Sequence, residues 1–289
     1  MPEGHTLHRL ANDVQEAFGG RPVVASSPQG RFAEGAARLD GRVLLGAEAY
    51  GKHFLAEFEG AGWLHIHLGL IGKVDFGAVE SPRPAPAPVG QVRLRLANDT
   101  TYADLRGAMI CEVMTDGERA DLVARLGPDP LRDDADPDRA WRRIHRSKMP
   151  IGQLLMDQEV LGGVGNVYRA ESLFRARLHP LTPGLLVKRS EWQKMWADIV
   201  LLMRYGVETG RIDTVTDEHT PDAMGRDPRR DDHGGEVYVY RRNGERCHVC
   251  QSVIRTQVLA GRNLFWCPKC QRTGLTRRTP IARTRKLGT

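Results

Sequence analysis

Apolar side chains recur at helical spacing in the first twenty residues of the chain, and a pair of glycines, Gly19-Gly20, ends the pattern. The residues on the apolar face are Leu7, Leu10, Ala11, Val14 and Phe18. The spacing predicts a helix over residues 6–18. Pro2 and Glu3 therefore lie immediately ahead of a helix N-terminus.

Short or alternating apolar runs follow this helix. They predict strands at residues 42–45, 54–58, 63–68 and 92–96. The stretch SPRPAPAPVG at 81–90 must be a loop, because proline cannot donate a hydrogen bond inside a sheet. We therefore expect a β-rich domain over residues 1–115 that carries one N-terminal helix.

Helical spacing returns from Asp116 onward. It predicts helices over 141–156 and 167–177, and a further helix that begins at a capping box of Ser190 and Gln193. Residues 217–236 are charged, rich in proline and glycine and free of aromatic residues, which predicts a flexible loop. We assign residues 116–236 to a helical domain.

Four of the five cysteines form two CxxC pairs near the C-terminus, and these ligands are Cys247, Cys250, Cys267 and Cys270. Two such knuckles at the ends of a β-hairpin can close a tetrahedral thiolate site around one zinc ion. Four thiolates leave no open coordination position, so the zinc is expected to be structural. Two disulfides are the alternative, and a buried core position is expected for Cys111. We assign residues 237–272 to a zinc finger whose hairpin turn presents Arg262.

Charge is distributed unevenly along a chain whose formal net charge is +6. Residues 241–289 contain twelve Lys or Arg side chains and one acidic side chain, Glu245, so the rest of the chain is mildly acidic. A cationic end is typical of a protein that binds a polyanion, although a solvated basic tail at 273–289 has the same composition. No apolar run resembles a membrane span or signal peptide, so we expect a cytoplasmic protein.

A glycine-rich turn, LGGVGN from Leu161 to Asn166, interrupts the helical pattern. Backbone N–H groups of such a turn, with the start of the next helix, can bind an anion, although glycine also serves close packing. By itself the turn therefore leaves both interpretations open.

Four features together resemble the formamidopyrimidine-DNA glycosylase/endonuclease VIII family. They are Pro2-Glu3-Gly4, Lys52 in GKHFL, GVGNVYRAESLF from Gly163, and the CxxC-x16-CxxC finger with Arg262. They span nearly the whole chain in the family's order. The stretches MPEGHTLHRL, SSPQGRF, HLGLIGKV and VIRTQVLAGRNLFWCPKC are most similar to the endonuclease VIII-type branch of actinobacteria.

The resemblance implies an α+β fold: an N-terminal β-sandwich with an N-terminal helix, then a helical domain with a helix-two-turns-helix motif and a β-hairpin zinc finger. It implies a bifunctional DNA glycosylase and abasic-site lyase of base-excision repair, associated with the nucleoid when bound to DNA. The expected partner is damaged double-stranded DNA, with single-stranded or bubble DNA also open, and the expected state is a monomer.

The resemblance also assigns roles to residues. Pro2 is the expected nucleophile, Glu3 the general acid and base, and Lys52 a phosphate clamp, for which an ordinary surface lysine is the alternative. The expected DNA-binding residues are Asn166 and Arg262 on phosphates, Leu70, Ile71 and Leu105-Arg106 as fillers of the vacated stack, and Glu171 in an orienting role. The fillers could equally be core residues.

Three questions stay open in the sequence. Gly152 stands where the 8-oxoguanine-directed branch typically has a lysine, so we expect oxidised pyrimidines to be preferred over formamidopyrimidine and 8-oxoguanine. A noncatalytic protein that binds damaged DNA is the rival from another class, and Pro2-Glu3 argues against it. His65 and His67 share one strand face, where ordinary strand residues are favoured over a metal pair.

Overall fold

A computed structural model describes residues 2–80, 85–230 and 235–273 of the chain. The expectations for parts of the proline-rich loop and of the loop at 217–236, and for the basic tail beyond residue 273, lie outside the described residues. The chain divides into two compact units, Met1–Arg125 and Leu126–Thr289.

The described residues of the N-terminal unit form three helices and eight strands. Its elements are α1 (Gly4–Phe18), β1 (Pro22–Ser26), α2 (Ala33–Leu39), β2 (Arg42–Tyr50), β3 (His53–Phe58), β4 (Gly62–His67), β5 (Lys73–Ala78), β6 (Leu94–Ala97), β7 (Thr101–Arg106), β8 (Ile110–Met114) and α3 (Asp116–Arg125). The predicted helix and strands are all present. The periodicity missed β1, α2, β5, β7 and β8, because short elements with mixed burial carry a weak alternation.

The strands follow the order β5-β7-β6-β1-β2-β3-β4-β8 with antiparallel neighbours. Strand β1 belongs to both halves: Pro22 and Val23 pair with β2, whereas Val24 to Ser26 pair with β6. The chain bends into two facing layers at this strand. Apolar side chains of both layers and of α1 share one core, which confirms the expected sandwich with an N-terminal helix.

Helix α3 packs with the N-terminal unit, although the change of periodicity at residue 116 suggested a boundary ahead of it. The Trp63 indole N–H donates to Asp116 at 2.7 Å, and the Arg119 guanidinium stacks over the Trp63 ring at 4.2 Å. Periodicity reports the type of an element, whereas these contacts decide the unit to which it belongs.

The C-terminal unit is helical and ends in a hairpin. Its elements are α4 (Pro137–His145), α5 (Ile151–Leu154), α6 (Asn166–Arg175), the 3-10 turn η1 (Gly184–Leu186), α7 (Arg189–Thr209), the 3-10 turn η2 (Asp217–His219), α8 (Pro221–Met224), β9 (Arg255–Leu259) and β10 (Arg262–Trp266). The core of the helices continues into the finger through Tyr238, Cys247 and Phe265. No helix within the described residues is long and apolar enough to cross a membrane.

Two local predictions in this unit were wrong, and the segment expected to be a loop contains two short helical elements. The helix expected over 141–156 is two helices, because Pro150 restricts the residue before it and separates α4 from α5. The N-cap of α7 is Lys188, two residues before the expected Ser190, and the Lys188 backbone N–H donates to the Glu191 carboxylate at 3.0 Å. The described part of 217–236 contains η2 and α8, and Arg226 pairs with Glu236 at 2.5 Å.

Candidate active site and metal centre

Pro2 and Glu3 lie at the beginning of α1, as the apolar spacing predicted. Glu3 is the N-cap residue with an extended backbone, and its carbonyl oxygen accepts a hydrogen bond from the Thr6 N–H at 2.9 Å. Its side chain is fully buried, whereas Pro2 is half-buried. An imino acid is thus followed directly by an enclosed carboxyl group at the start of a rigid helix.

The packing of α1 on β2 brings Lys52 toward the same end of the unit. The Ala47 N–H donates to the Gln15 side chain at 2.9 Å, and the Gly20 N–H donates to the Leu44 carbonyl at 2.8 Å, so helix and strand run antiparallel. The distance along α1 from its first residue to Gln15 is about 16 Å, which is the length of about five residues in a strand. Lys52 is five residues after Ala47 in the sequence, so it lies toward the end of the unit where α1 begins.

Lys52 is in the tight turn that joins β2 and β3, where Tyr50 pairs with His53. Gly51 has φ +61°, a left-handed conformation that glycine adopts at little cost. Lys52 is half-buried, and its charge lowers the pKa of both His53 and His67. Lys52 is therefore within electrostatic reach of a group of histidines on the neighbouring strands.

These histidines form a connected network. His53 Nδ1 lies 2.9 Å from His65 Nε2, and His65 Nδ1 lies 2.9 Å from the Glu112 carboxylate. The His67 ring meets the His53 ring edge to face at 5.0 Å. Burial, and then the neighbouring histidines and Lys52, lower the pKa of His53 to about 3, and burial and Lys52 lower the pKa of His67. Burial thus favours the neutral forms of His53 and His67, which add no positive charge beside Lys52.

Exposed apolar side chains cluster at one edge of the N-terminal unit. Leu70 is 55% exposed and Ile71 is 81% exposed in the turn between β4 and β5, and Met109 is 62% exposed in the turn before β8. The two turns are adjacent, since the Met109 N–H donates to the His67 carbonyl at 2.9 Å. Large apolar groups so exposed have the form of a wedge.

The second predicted filler, Leu105-Arg106, differs from this wedge. Leu105 is a core residue with 2% exposure, so its assignment as a wedge was wrong. Arg106 donates to Asp75 at 2.7 Å and to Asp104 at 3.0 Å, and these carboxylates offset its charge. The role of Arg106 toward DNA stays a prediction.

Asn166 begins α6 directly after the glycine-rich turn, as expected. Its amide nitrogen donates to the Asn263 carbonyl on β10 at 3.1 Å. The hairpin turn Ala260-Gly261 has φ of 49° and 72°, the geometry of a type I′ connection, and exposed Arg262 follows it. The two residues predicted to bind phosphates therefore lie on adjoining elements of the same unit.

Glu171 is fully buried in α6. Its carboxylate accepts hydrogen bonds from Thr214 Oγ1 at 2.6 Å and from the backbone N–H groups of Tyr238, Val239 and Tyr240 at 2.7, 2.8 and 2.8 Å. These bonds tie the segment that leads into the finger to α6. The geometry favours the orienting role over direct contact with DNA.

The four cysteines of the finger converge on one point. Their sulfur atoms all lie within 4.8 Å of one another, with 3.9 Å between Cys247 and Cys270 and 3.3 Å between Cys250 and Cys267. Tetrahedral thiolate ligands of zinc are separated by about 3.8 Å, whereas a disulfide requires about 2.05 Å. Hydrogen bonds from the Cys267 and Cys270 thiols lower the pKa of Cys247, which favours the thiolate form. The four residues fit one closed zinc site and exclude the disulfide alternative.

Comparisons with known proteins match each part of the chain. Residues 1–110 match the formamidopyrimidine-DNA glycosylase N-terminal domain, residues 126–218 the formamidopyrimidine-DNA glycosylase H2TH domain, and residues 244–273 a zinc finger found in that enzyme and in IleRS. Endonuclease 8 1 of Mycobacterium tuberculosis is 52% identical over 94% of this chain and 100% of its own. The chain belongs to the formamidopyrimidine-DNA glycosylase/endonuclease VIII family.

Further relatives agree with this assignment. Formamidopyrimidine-DNA glycosylase of Prochlorococcus marinus is 30% identical over 73% of this chain and 72% of its own. A solved complex of the Lactococcus lactis enzyme with DNA that contains an abasic site has a TM-score of 0.74 at 20% identity, covering 94% of this chain and all of that one. The Thermus thermophilus enzyme has a TM-score of 0.68 at 26% identity, over 93% of this chain and 98% of its own.

As a member of the family, this protein is a DNA glycosylase of base-excision repair with one structural zinc ion in its finger. The predicted fold class, enzyme class and cofactor are confirmed. Among the described residues, the cysteines of the finger are the group found with metal-binding geometry, so the histidine network gains no support as a metal pair. The thiol of Cys111 is buried, which raises its pKa to about 12 and confirms a core position.

Sequence reasoning missed several residues near the predicted site. His53 and Met109 carry no motif, and His67 was treated as an ordinary strand residue. An arginine on a helix such as Arg169 is ordinarily expected to face solvent, yet the Arg169 side chain is only 1% exposed. Only HLGLIG, which joins His67 to the wedge in one stretch, offered a signal that could have linked these elements.

Proposed function

We propose that this protein removes oxidised bases from damaged double-stranded DNA, with pyrimidines preferred, and then cleaves the strand through a Schiff base on Pro2. The main support is the Pro2-Glu3 pair at the start of α1, packed toward Lys52, in a chain 52% identical to a protein named Endonuclease 8 1. A protein that only binds damaged DNA needs neither a free N-terminal imino group nor an enclosed carboxyl beside it.

Removal of Met1 exposes the Pro2 nitrogen, a terminal amine whose ordinary pKa near 8 leaves a usable neutral fraction at pH 7. Its lone pair forms a bond to C1′ of the damaged nucleotide as the bond from C1′ to the base breaks. The nitrogen then loses its remaining proton, its lone pair breaks the bond from C1′ to O4′, and O4′ takes up a proton. The resulting iminium is cationic because its nitrogen carries three carbon substituents and has no proton to lose. This cation accepts electrons as the C2′ proton leaves and the 3′ phosphate departs, and a second elimination releases the 5′ phosphate.

Glu3 supplies protons in this sequence. Its position beside Pro2 allows its carboxyl to protonate the departing base or the sugar ring oxygen, and its carboxylate to accept the proton lost during elimination. Full burial keeps bulk water from competing for these transfers. Lys52 clamps the phosphate next to the lesion, and burial of the nearby His53 and His67 opposes their protonation, so that they add little positive charge beside it.

DNA is bound by adjoining elements of the C-terminal unit and by the exposed edge of the N-terminal unit. The Asn166 amide and the Arg262 guanidinium contact phosphates that flank the flipped nucleotide. Leu70 and Ile71 fill the space that this nucleotide leaves, because an apolar side chain between bases replaces part of the lost stacking. Single-stranded DNA binding, a monomeric state and a cytoplasmic location stay predictions.

The preference for pyrimidines is supported by position 152. A Cβ on Gly152 would lie 3.0 Å from the Pro180 carbonyl oxygen and 3.2 Å from Pro180 Cβ. A lysine there, as in the 8-oxoguanine-directed branch, would require a shift of this backbone. The chain therefore lacks that side chain at a position where a Cβ would be tightly packed.

Borohydride trapping on a duplex with a single abasic site tests this function. The wild-type protein should form a covalent adduct, and mass spectrometry should map it to the peptide that begins with Pro2. Pro2→Gly should lower trapping by at least about tenfold, because a primary amine gives a neutral, less activated imine. Its affinity for a duplex with a tetrahydrofuran abasic analogue should stay unchanged.

Unchanged trapping in Pro2→Gly, or an adduct mapped to Lys52, would overturn the role of Pro2. Binding without any adduct in a protein whose Met1 is removed would favour the noncatalytic rival. The base preference is checked separately on duplexes that contain thymine glycol, 5-hydroxyuracil, formamidopyrimidine or 8-oxoguanine. Faster excision of the last two lesions would overturn the assignment of pyrimidines.

A further inference from the structure

Arg169 is a buried arginine on α6, three residues after Asn166. Its side chain is 1% exposed, and its guanidinium donates to the Gly152 carbonyl at 3.3 Å, to the Asn263 carbonyl at 2.9 Å and to Asn166 Oδ1. These acceptors belong to α5, to β10 and to the first residue of α6. One side chain thus joins three elements at the place where the phosphate-binding residues are proposed to lie.

The bond to Asn166 fixes which way the side-chain amide points. An asparagine amide can exchange its oxygen and nitrogen by a half-turn, and only the nitrogen can donate to a phosphate. Arg169 has only donors, so the oxygen must face it and the nitrogen must face away. The nitrogen carries two hydrogens, and one of them is donated to the Asn263 carbonyl. The other is oriented by the same geometry and can serve a phosphate oxygen.

The bond to Asn263 fixes the hairpin as well. Arg169 and Asn166 both donate to that carbonyl, at 2.9 and 3.1 Å, and Asn263 follows Arg262 directly. These two hydrogen bonds to one carbonyl hold the beginning of strand β10 against the start of α6. The absence of a side chain at Gly152 keeps its carbonyl within reach of the same guanidinium.

We propose that Arg169 is a positioning residue for DNA binding: it holds the Asn166 amide in its donating orientation and anchors the strand that carries Arg262. This inference rests on the proposed function, because it acts through the phosphate contacts proposed there. Arg169 itself is enclosed and does not contact DNA.

The test is affinity for a duplex with a tetrahydrofuran site, measured by fluorescence anisotropy at fixed salt. Arg169→Met keeps the length of the side chain and removes its donors, and it should weaken binding about tenfold, comparable to the loss of one or two hydrogen bonds. Arg169→Lys retains a single donor group and should recover part of that loss. Thermal unfolding of each variant is recorded alongside.

Arg175→Met is the matched control. Arg175 is an equally buried arginine on α6, but it donates to Asp198 at 2.6 and 2.7 Å and to the Thr214 carbonyl at 2.7 Å, outside the group formed by Asn166, Gly152 and Asn263. Its replacement should lower the unfolding temperature, because a buried charge loses its partner, while affinity stays within about twofold below that temperature.

A double-mutant cycle separates positioning from general destabilisation. The background is the double variant Asn166→Ala, Arg262→Ala. Adding Arg169→Met to this background should weaken affinity by no more than about twofold, because Arg169 is proposed to act through the side chains of Asn166 and Arg262, which are already absent. The same cycle with Arg169→Lys covers the case in which Arg169→Met does not fold. Wild-type affinity in both Arg169 variants, or an undiminished loss in the double background, would overturn the inference. If the wild-type protein itself fails to bind the duplex, the proposed function fails.

Discussion

A single carboxylate, Glu171, organises the route from the helices into the zinc finger. It is enclosed, and three consecutive backbone N–H groups, from Tyr238 to Tyr240, point at it together with the Thr214 hydroxyl. Four donors are satisfied by a carboxylate, because both of its oxygens accept hydrogen bonds. An amide has only one accepting oxygen, and its NH₂ group would face the remaining donors.

Glu171→Gln is therefore expected to destabilise the folded C-terminal unit by about 2–4 kcal/mol, since buried donors lose their acceptor. Urea unfolding measures the effect, and Glu208→Gln, at an exposed position on α7, is the control with little expected change. DNA affinity below the unfolding transition should persist. A weaker affinity with full stability would instead show that Glu171 contacts DNA.

At the scale of elements, two turns build the exposed apolar edge. Positive φ at Gly69 and Gly107 permits both turns, and the β5-β7 pairing brings them side by side. No strand or helix pattern predicts this meeting, because the two turns are more than thirty residues apart in the sequence. The edge is thus a product of sheet topology.

Replacement of Leu70 and Ile71 by alanine should lower kcat/KM about tenfold or more on a damaged base in duplex DNA, because the vacated stack is no longer filled. The loss should be smaller on the same base in a single strand, where no stack has to be repaired. Val24→Ala removes another exposed apolar group, 61% exposed, and should change neither rate. Equal losses on both substrates would contradict the wedge.

At the scale of the whole molecule, buried histidines couple stability to pH. Burial, assisted by neighbouring positive groups, lowers the pKa of His5 to about 4 and of His53 to about 3. His53 faces His65 and His67 on β4, Lys52 in the preceding turn and Arg125 on α3, and Glu112 binds the far side of His65. Both residues belong to the N-terminal unit, so this unit should lose stability in acid.

The unfolded chain binds protons at these histidines near pH 6.5, whereas the folded chain binds them only at a lower pH. Their neutral burial therefore contributes full stability above pH ~6.5, and this is lost as pH falls toward ~4, with a slope of up to about 1.4 kcal/mol per pH unit for each histidine. Urea unfolding across this range measures the slope. His53→Asn should make it shallower, and His145→Asn, at an exposed position on α4, should leave it unchanged.

The parts of the fold that could be predicted are those whose signal is local. Helical spacing located α1, and the two CxxC pairs located the zinc site, because ligands at fixed spacing on tight knuckles need little help from the rest of the chain. The position of Asn166 at a helix start was readable for the same reason. Strand β5 was not, since its side chains are only partly buried, and neither was β7, where the buried run of Ala103, Asp104 and Leu105 does not alternate.

The sequence by itself determined the family and the metal, and it carries the proposal for the chemistry of Pro2 and Glu3, because all of these depend on residue types in a given order. Tertiary structure decided which residues meet. It set the packing of α1 on β2, the histidine network across three strands, and the enclosure of Arg169 between α5, α6 and β10. Such contacts join residues far apart in the chain. They arise from packing and strand pairing, for which no short stretch of sequence carries a signal.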